Sequence, residues 1–190
     1  TMSVNDLIAE GMSLFKSNNF DQAIVRFNQA WSEIKDKNFS FQAQSNIQFW
    51  LGRCYLEQAM KVKDITEAKD LFAEAIMHHQ QQLELARQLK DEKASIQEQH
   101  SAQFWIGHCY LEQAMEVKDI AEAKDLFAQA IAHFQQRFEL AQQLNKQVSI
   151  QEQSSAQSWL GRCYLSLAMK VEDFAERMDL STQAIVHFRQ

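Results

Sequence analysis

The apolar and polar positions of residues 48–60, QFWLGRCYLEQAM, return almost unchanged at residues 103–115 as QFWIGHCYLEQAM. A third copy, QSWLGRCYLSLAM, occupies residues 157–169. The copies begin at residues 48, 103 and 157, so the intervals between them are 55 and 54 residues. A long interval that is kept to within one residue is typical of one supersecondary unit stacked on copies of itself. The sequence therefore predicts a repeat architecture in which each unit contacts its neighbours.

Within each unit, small and large side chains follow one order. A Gly and a large residue on the first helix precede an Ala, a Phe and a second Ala on the second helix. These positions are Gly11, Leu14, Ala23, Phe27 and Ala30; Gly52, Tyr55, Ala68, Phe72 and Ala75; and Gly107, Tyr110, Ala123, Phe127 and Ala130. Gly and Ala allow two antiparallel helices to touch, and the Phe fills the space beside the next pair. The interval between Gly and the first Ala is 12 residues in the first unit and 16 residues in the second and third units. The increase of four residues is about one helical turn.

Polar residues that can cap free backbone amides mark the predicted helix starts. Pairs three residues apart open the second helices at Asn19/Gln22, Asp64/Glu67, Asp119/Glu122 and Asp173/Glu176. Similar pairs open the first helices at Ser3/Asp6, Ser95/Glu98 and Ser149/Glu152, with Ser40 in the matching place of the second unit. These marks predict eight helices, near residues 3–17, 20–36, 40–62, 65–90, 95–117, 120–145, 149–171 and 174–190.

This order of small and large residues resembles the tetratricopeptide repeat. The length of the helices is similar to the long-helix repeats of some bacterial regulators and of kinesin light chains. The resemblance implies an all-α fold, a right-handed α-solenoid of antiparallel helix pairs. It also implies a single domain, residues 1–190, with repeats near 3–37, 40–91, 95–146 and 149–190.

Composition supports the helical prediction and narrows the class of protein. There is no Pro and there are four Gly, so the residues that interrupt helices are nearly absent. No apolar run approaches the roughly 20 residues that a membrane span needs. The net charge of −6 is spread along the chain, which gives no support for a nucleic-acid or membrane partner. The first twenty residues carry no secretion signal, so we expect a cytoplasmic protein.

The fourth unit departs from the repeat order. Arg177 stands where the first Ala is expected, and Ser181 stands where the Phe is expected. Polar residues at these positions predict a wettable outer face, as at the end of a repeat stack. The second helix of this unit stops at Gln190, about nine residues earlier than its counterparts, which allows either a chain that has been cut there or an end that lies against another chain.

The sequence contains no recognisable catalytic motif. A Gly-rich phosphate loop, an HExxH motif and a nucleophile elbow are all missing, so we expect no enzymatic activity and no cofactor. One Cys and one His recur in a fixed register in each of the last three repeats: Cys54, Cys109 and Cys163, and His78, His133 and His187. Equivalent positions of successive helix pairs lie roughly 20 Å apart, which is too far for a disulfide or a shared metal. We therefore interpret these residues as packing or polar contacts.

The resemblance also implies a binding surface. In tetratricopeptide repeats the first helices form the inner, concave wall, and fixed positions around the Gly face it. Carried over by register, these positions are Phe49, Trp50, Arg53 and Glu57; Phe104, Trp105, His108 and Glu112; and Ser158, Trp159 and Arg162, with Ser166 beyond them. Aromatic residues and Arg are common anchors of protein interfaces. A Trp that recurs in one register is also typical of core packing, and the sequence leaves both readings open.

The sequence therefore predicts a non-enzymatic scaffold that binds a peptide or amphipathic helix of another protein on its concave face. Two alternatives remain. The first is a structural module that self-associates into a homo-oligomer through its C-terminal helix. The second is an accessory segment of a larger signalling protein.

Overall fold

The computed structural model describes residues 2–35 and 39–190. Within these ranges the chain forms eight helices and no strand. The helices are α1 (Val4–Lys16), α2 (Phe20–Ile34), α3 (Phe41–Lys61), α4 (Ile65–Arg87), α5 (Glu92–Glu116), α6 (Ile120–Ala141), α7 (Lys146–Lys170) and α8 (Phe174–Phe188). All eight predicted helices are present, and most of their ends agree with the prediction to about three residues. The predicted end of the second helix, at residue 36, lies outside the described residues.

Side-chain caps begin five of the helices where the sequence places them. Ser3, Ser40, Asp64, Asp119 and Asp173 each accept a hydrogen bond from a backbone N–H of the first turn. Such a cap satisfies a backbone donor that has no partner inside the helix, and its loss typically costs about 1 kcal/mol. Local sequence therefore determines these boundaries.

The predicted cap at Asn19 is wrong. Its side chain makes no capping hydrogen bond to α2. The turn before α2 is instead fixed by the backbone: Asn18 adopts the left-handed conformation, with φ of 61°, and the Asn19 N–H donates to the Leu14 carbonyl. Asn tolerates this conformation better than most residues, so Asn18 ends α1, and no side-chain cap begins α2.

The predicted caps at Ser95 and Ser149 are also wrong, because α5 and α7 each begin about one turn earlier. Asp91 accepts from the Ala94 N–H at the start of α5, and Asn145 accepts from the Val148 N–H at the start of α7. The Ser95 hydroxyl donates to the Ala86 carbonyl at the end of α4 instead. A tertiary hydrogen bond therefore uses the side chain that the local sequence assigns to a cap.

The chain divides into two compact units, Thr1–Glu98 and Gln99–Gln190. In the first unit, α1, α2 and α3 pack around a core of Leu7, Ala23, Phe27, Ala30, Ile34, Ile47, Leu51 and Cys54. In the second unit, the core joins α6 and α7 with parts of α5 and α8, and its largest buried side chains are Phe127 and Phe134. The predicted positions Ala68, Phe72, Ala75, Ala123 and Ala130 are buried as well. Consecutive helices pack against each other, as expected for a helical repeat.

Each glycine lies under an aromatic ring of the following helix. A Cβ atom built on Gly107 would stand 2.8 Å from Cε1 of Phe134, whose ring is fully buried. The other contacts pair Gly11 with Phe27, Gly52 with His79, and Gly161 with Phe188. The expectation that the two helices of a pair touch at the glycine is confirmed, because any side chain there would displace the ring.

The ring at this contact changes its place in the repeat order after the first pair. Gly11 meets Phe27, the Phe of that order, whereas the later glycines meet His79, Phe134 and Phe188, seven residues beyond Phe72, Phe127 and Ser181. The reason is helix length. Helix α1 ends five residues after its glycine, at Lys16, whereas α3 ends nine residues after its glycine, at Lys61. The second helix of the pair, which runs back along the first, must therefore be longer before it reaches the glycine. Seven residues are about two turns, so the added length keeps the same face toward the first helix.

The expectation of a wettable outer face in the fourth unit is wrong for α8. Phe174, Met178, Ile185 and Phe188 are all exposed on this helix. Arg177, which replaces the first Ala, donates from Nε and Nη2 to the Val171 carbonyl and so ties the start of α8 to the end of α7. The two polar substitutions that motivated the expectation therefore do not decide the character of the surface.

Candidate binding surface

The predicted wall residues lie on α3 in the first unit and on α5 and α7 in the second. Phe49, Trp50, Arg53 and Glu57 of α3 are half-buried, and so are Phe104, Trp105, His108 and Glu112 of α5. On α7, Trp159 is half-buried, whereas Ser158 and Arg162 are exposed. The three Trp residues are thus neither fully buried nor fully open to solvent.

In the first unit, Trp50 packs against the preceding helix pair. Its ring stacks on Phe27 of α2, with ring centres 6.0 Å apart, and meets the ring of Phe15 edge-on at 5.3 Å. Phe49 contacts Trp50 at 5.0 Å on the same helix. Each such aromatic pair adds about 0.5–1.5 kcal/mol beyond the area that it buries. The main contacts of Trp50 are therefore those of a core residue between α2 and α3.

Arg53 lies across the aromatic residues of this first cluster. Its guanidinium carbon is 5.0 Å from the ring centre of Phe15 and 5.8 Å from that of Phe49. Burial lowers the pKa of Arg53, while the charge of Glu57 raises it. A half-buried guanidinium over two aromatic rings joins α1 to α3 and still has one side toward solvent.

In the second unit, Trp159 lies at the centre of a larger aromatic cluster. Its ring is 5.1 Å from Phe104, 4.9 Å from His108 and 5.6 Å from the buried Phe134. Trp159 and Phe104 both pack against the buried core of this unit. The structure therefore brings together wall residues of α5 and α7, and packing uses most of the area of Phe104.

His108 connects this cluster to a carboxylate. Its Nε2 lies 3.1 Å from Oε1 of Glu112, one turn further along α5, and its ring stacks on Trp105 at 5.6 Å. Both side chains are largely shielded, with 17% and 21% of their surface exposed. The pair fixes the orientation of the imidazole between Trp105 and Trp159.

Arg162 is the exposed charge of the surface. Its guanidinium carbon lies 4.3 Å from the ring centre of Trp159, one turn earlier on α7. Among the residues that the structure describes, it forms no hydrogen bond or ion pair. Stacking on an aromatic face orients a guanidinium while leaving its N–H groups free to bind a carboxylate. We refer to Trp159, Arg162, His108 and Glu112 as the Trp159 surface.

A second set of contacts, which the sequence reading missed, recurs in three helix pairs. A His of the second helix donates from Nδ1 to a Gln Oε1 of the first helix, at 2.6 Å in each case, and its ring stacks on a Tyr of that first helix, seven residues after the Gln. These sets are Gln48, Tyr55 and His78; Gln103, Tyr110 and His133; and Gln157, Tyr164 and His187. The signal is the shared register of all three residues: the sequence pattern predicts a packing role for the Tyr and a polar contact for the His, but it does not pair them with the Gln.

These His residues are held in their neutral form. Burial lowers the pKa of His78 from 6.5 to about 4, although Glu74 lies 3.8 Å from its Nε2. Burial also lowers the pKa of His133 and of His187. Because the Gln oxygen accepts, the proton of the neutral ring lies on Nδ1. The expectation of a polar contact is confirmed for these residues, and the contact joins the two helices of a pair.

Arg137 of α6 forms the main buried ionic contact of the second unit. Its Nη2 donates to Oε2 of Glu152 and to Oγ of Ser155, both on α7 and both at 3.1 Å. The guanidinium carbon also lies 4.6 Å from the ring centre of Phe104. In the first unit, the same register holds Gln82, whose Nε2 donates to Oε2 of Glu98 at 3.4 Å. Each unit thus ties a second helix to the start of the next first helix through a carboxylate.

The three Cys residues are buried, free thiols. Burial raises the pKa of Cys54 and of Cys163 to about 12, and it raises that of Cys109 as well. Their thiols therefore stay protonated and pack as small apolar groups. In the part of the chain that the structure describes, no three His, Cys, Asp or Glu side chains come together as a metal site would require.

These features define a helical-repeat protein. A protein-family comparison matches residues 101–136 to the tetratricopeptide repeat. The matched residues include Gly107 and Phe134, which form a contact between α5 and α6. A search of curated proteins gave no match. Among the described residues, no helix has the length and apolar character that crossing a membrane requires.

Proposed function

We propose that this protein is a scaffold that binds an apolar, partly acidic segment of another protein through the Trp159 surface. Tetratricopeptide repeats generally act as protein-interaction modules, and the family is typically non-enzymatic. The match of residues 101–136 to this repeat supports the general role. The particular surface and the character of the ligand rest on the geometry of α5 and α7.

The observation that carries the proposal is the state of Arg162. The side chain is exposed, it lies 4.3 Å above Trp159, and within the described residues it has no carboxylate partner. An incoming carboxylate would gain charge-assisted hydrogen bonds without first breaking an internal ion pair. Because the ring already orders the guanidinium, less side-chain entropy is lost on binding.

The neighbouring residues favour an apolar anchor beside that carboxylate. The half-buried ring of Trp159 leaves part of its surface open, and Trp is a frequent anchor of interfaces. The carboxylate of Glu112 is bonded to His108 and largely shielded, whereas Arg162 is exposed, so Arg162 is the charge that an incoming segment meets. We therefore expect a ligand with a large apolar residue near an Asp or Glu.

Selection from a random peptide library, displayed on phage and panned against the chain, tests this. We expect the selected peptides to combine large apolar residues with Asp or Glu. Changing Arg162→Glu should weaken binding of a selected peptide by about 10-fold to 100-fold, because removing a charged hydrogen-bonding partner costs about 1.5–3 kcal/mol. The Arg162→Lys variant should lose less, since it keeps the charge but not the planar stack on Trp159.

The matched control is Lys118→Glu, which makes the same change of charge at an exposed position between α5 and α6. It should leave peptide affinity unchanged at physiological salt. If selected peptides bind the Arg162→Glu and Lys118→Glu variants with equal affinity, or if the selection enriches basic peptides, the proposal is wrong.

A further inference from the structure

Arg137 makes a buried, charged contact at a place where the first unit uses a neutral side chain. The Arg137 side chain is 7% exposed, and burial lowers its pKa because the charged form is removed from water. In the first unit, Gln82 holds the same register and donates to Oε2 of Glu98, and the Ser45 hydroxyl donates to the same oxygen at 3.1 Å. A neutral amide is therefore enough to tie the second helix to the next first helix, and this tie alone does not explain the Arg.

Hydrogen bonding does not explain the Arg either. Only Nη2 of Arg137 donates to Glu152 and Ser155. Its Nε and Nη1 are buried and, among the residues that the structure describes, have no hydrogen-bond partner. A guanidinium carries five N–H donors, so much of its hydrogen-bonding capacity is unused at this position. The contact that distinguishes Arg137 from Gln82 is therefore the one made by the flat face of the guanidinium.

That face lies over Phe104, which connects Arg137 to the Trp159 surface. The guanidinium carbon is 4.6 Å from the ring centre of Phe104. The Phe104 ring in turn meets the rings of Trp105 and Trp159 nearly at right angles, with ring centres 5.0 Å and 5.1 Å apart. A cation over an aromatic face is attracted by the ring quadrupole, most strongly where water is excluded. Arg137 therefore restricts the ring that packs against Trp159.

Arg137 also acts on Trp159 along α7. Ser155 and Glu152, to which Nη2 donates, lie about one turn and two turns before Trp159 on this helix. One side chain of α6 thus contacts α7 through Nη2 and Phe104 of α5 through its flat face. Both contacts act on the helices that place Trp159, although Arg137 is itself buried too deeply to meet a ligand.

We propose that Arg137 is a positioning residue of the Trp159 surface, which acts through Phe104 to hold the ring of Trp159 in the orientation that binds a ligand. This inference rests on the proposed function, since it concerns the same surface. A positioning role separates two properties of the protein. Stability depends largely on the bond to Glu152, which a Gln can make. The order of the Trp159 ring and the affinity for a ligand depend on the cation over Phe104, which a Gln cannot supply.

The variant Arg137→Gln tests this separation. Relaxation of the ¹⁵N nucleus in the indole N–H of Trp159, measured in the chain without ligand, reports the order of the ring. We expect the heteronuclear NOE of this signal to fall in Arg137→Gln. The Kd of a peptide that was selected on the unchanged chain should rise by about 3-fold to 10-fold, because the cation–π contact no longer favours the binding orientation.

A second variant tests whether Arg137 acts through Phe104. Phe104→Leu removes the ring, so the order of Trp159 and the peptide affinity should both fall. When Arg137→Gln is added to Phe104→Leu, it should change neither property much further, because two changes that remove one contact are not additive. Arg137→Lys keeps the charge opposite Glu152 but lacks the flat face, so it should show both losses at a smaller size. It provides the same test if Arg137→Gln does not fold.

The matched control is Gln82→Ala, which removes the corresponding bond to Glu98 in the first unit. It should lower the free energy of unfolding in urea and leave the order of Trp159 and the peptide affinity unchanged. Native order of Trp159 or native affinity in the Arg137 variants overturns the proposal. So does an effect of Arg137→Gln that is equally large in the Phe104→Leu chain, or an equal effect of Gln82→Ala.

Failure of the proposed function gives a different result. If the unchanged chain binds no selected peptide, or if Arg162→Glu and Lys118→Glu bind it with equal affinity, the ligand site itself is wrong. The order of Trp159 in the free chain and in its Arg137 variants still decides whether Arg137 positions the ring.

Discussion

The contact between Gly107 and Phe134 provides a quantitative test of the packing between paired helices. A Cβ atom on Gly107 would lie 2.8 Å from Cε1 of Phe134, where an ordinary carbon–carbon contact is about 3.5–4.0 Å. Gly107→Ala therefore forces a shift of about 0.7–1.2 Å. The ring of Phe134 is fully buried, so the shift spreads into the core around Phe127 and Leu160.

Two effects of opposite sign decide the stability of the variant. Overpacking a buried contact costs about 1–3 kcal/mol. Alanine in place of glycine within a helix returns about 0.8–1 kcal/mol through backbone propensity. We expect Gly107→Ala to lower the free energy of unfolding by up to about 2 kcal/mol, which for a domain of this size is a decrease of several degrees in the melting temperature.

The chain contains a matched control for this change. Gly161 lies equally close to a ring, 2.7 Å from Cε1 of Phe188, but that ring is 48% exposed and can turn toward solvent. The propensity gain is the same in both helices, so the difference between the variants isolates the clash. Urea unfolding followed by circular dichroism should find Gly161→Ala more stable than Gly107→Ala by about 1–3 kcal/mol. Equal stability of the two variants, or a stabilised Gly107→Ala, would refute the packing argument.

Two further predictions concern buried polar groups. The pKa of His78 is about 4 in the folded chain and 6.5 in the unfolded chain, so the unfolded chain binds more protons between pH 6.5 and 4. As pH drops through that window, His78 should therefore lower the free energy of unfolding by about 3 kcal/mol. His78→Gln should flatten the pH dependence of urea unfolding between pH 6.5 and 4, and an unchanged slope would contradict the assignment. Arg137→Met, which leaves Glu152 without its main donor, should cost about 1–3 kcal/mol of unfolding free energy. Arg137→Gln should cost less, because Gln82 makes the same kind of bond to its carboxylate in the first unit; equal losses in thermal melts would count against this reading.

Most of the fold could be predicted because its signals are local. The absence of Pro, the repeated glycines and the short polar caps at Ser3, Ser40 and Asp64 each act within a few residues of the feature that they determine. The starts of α5 and α7 were harder to predict, because each has two residues that could act as the cap, about one turn apart. These are Asp91 and Ser95 for α5, and Asn145 and Ser149 for α7. The bond from Ser95 to the Ala86 carbonyl, which joins different helices, removes one of them.

The contacts of the candidate surface were harder to predict, because they depend on which turn of one helix lies opposite a given turn of its neighbour. The residue against each glycine changes by two turns when the helices lengthen, so the repeat order alone could not identify His79 as the residue that contacts Gly52. Register alone also could not separate packing from exposure. Phe104 and Arg162 belong to the same predicted wall, yet the ring of Phe104 packs on Phe134 and Trp159 while Arg162 stays exposed.

The central claim is that a protein ligand binds at the Trp159 surface, and the indole N–H signals of the four Trp residues test it most directly. A selected acidic-apolar peptide, titrated into ¹⁵N-labelled chain, should shift the signal of Trp159, assigned from a Trp159→Phe variant. The signal of Trp31, which lies on α2 beside Met77 and Leu85, should remain in place. A titration that shifts Trp31 and leaves Trp159 unmoved would contradict the account.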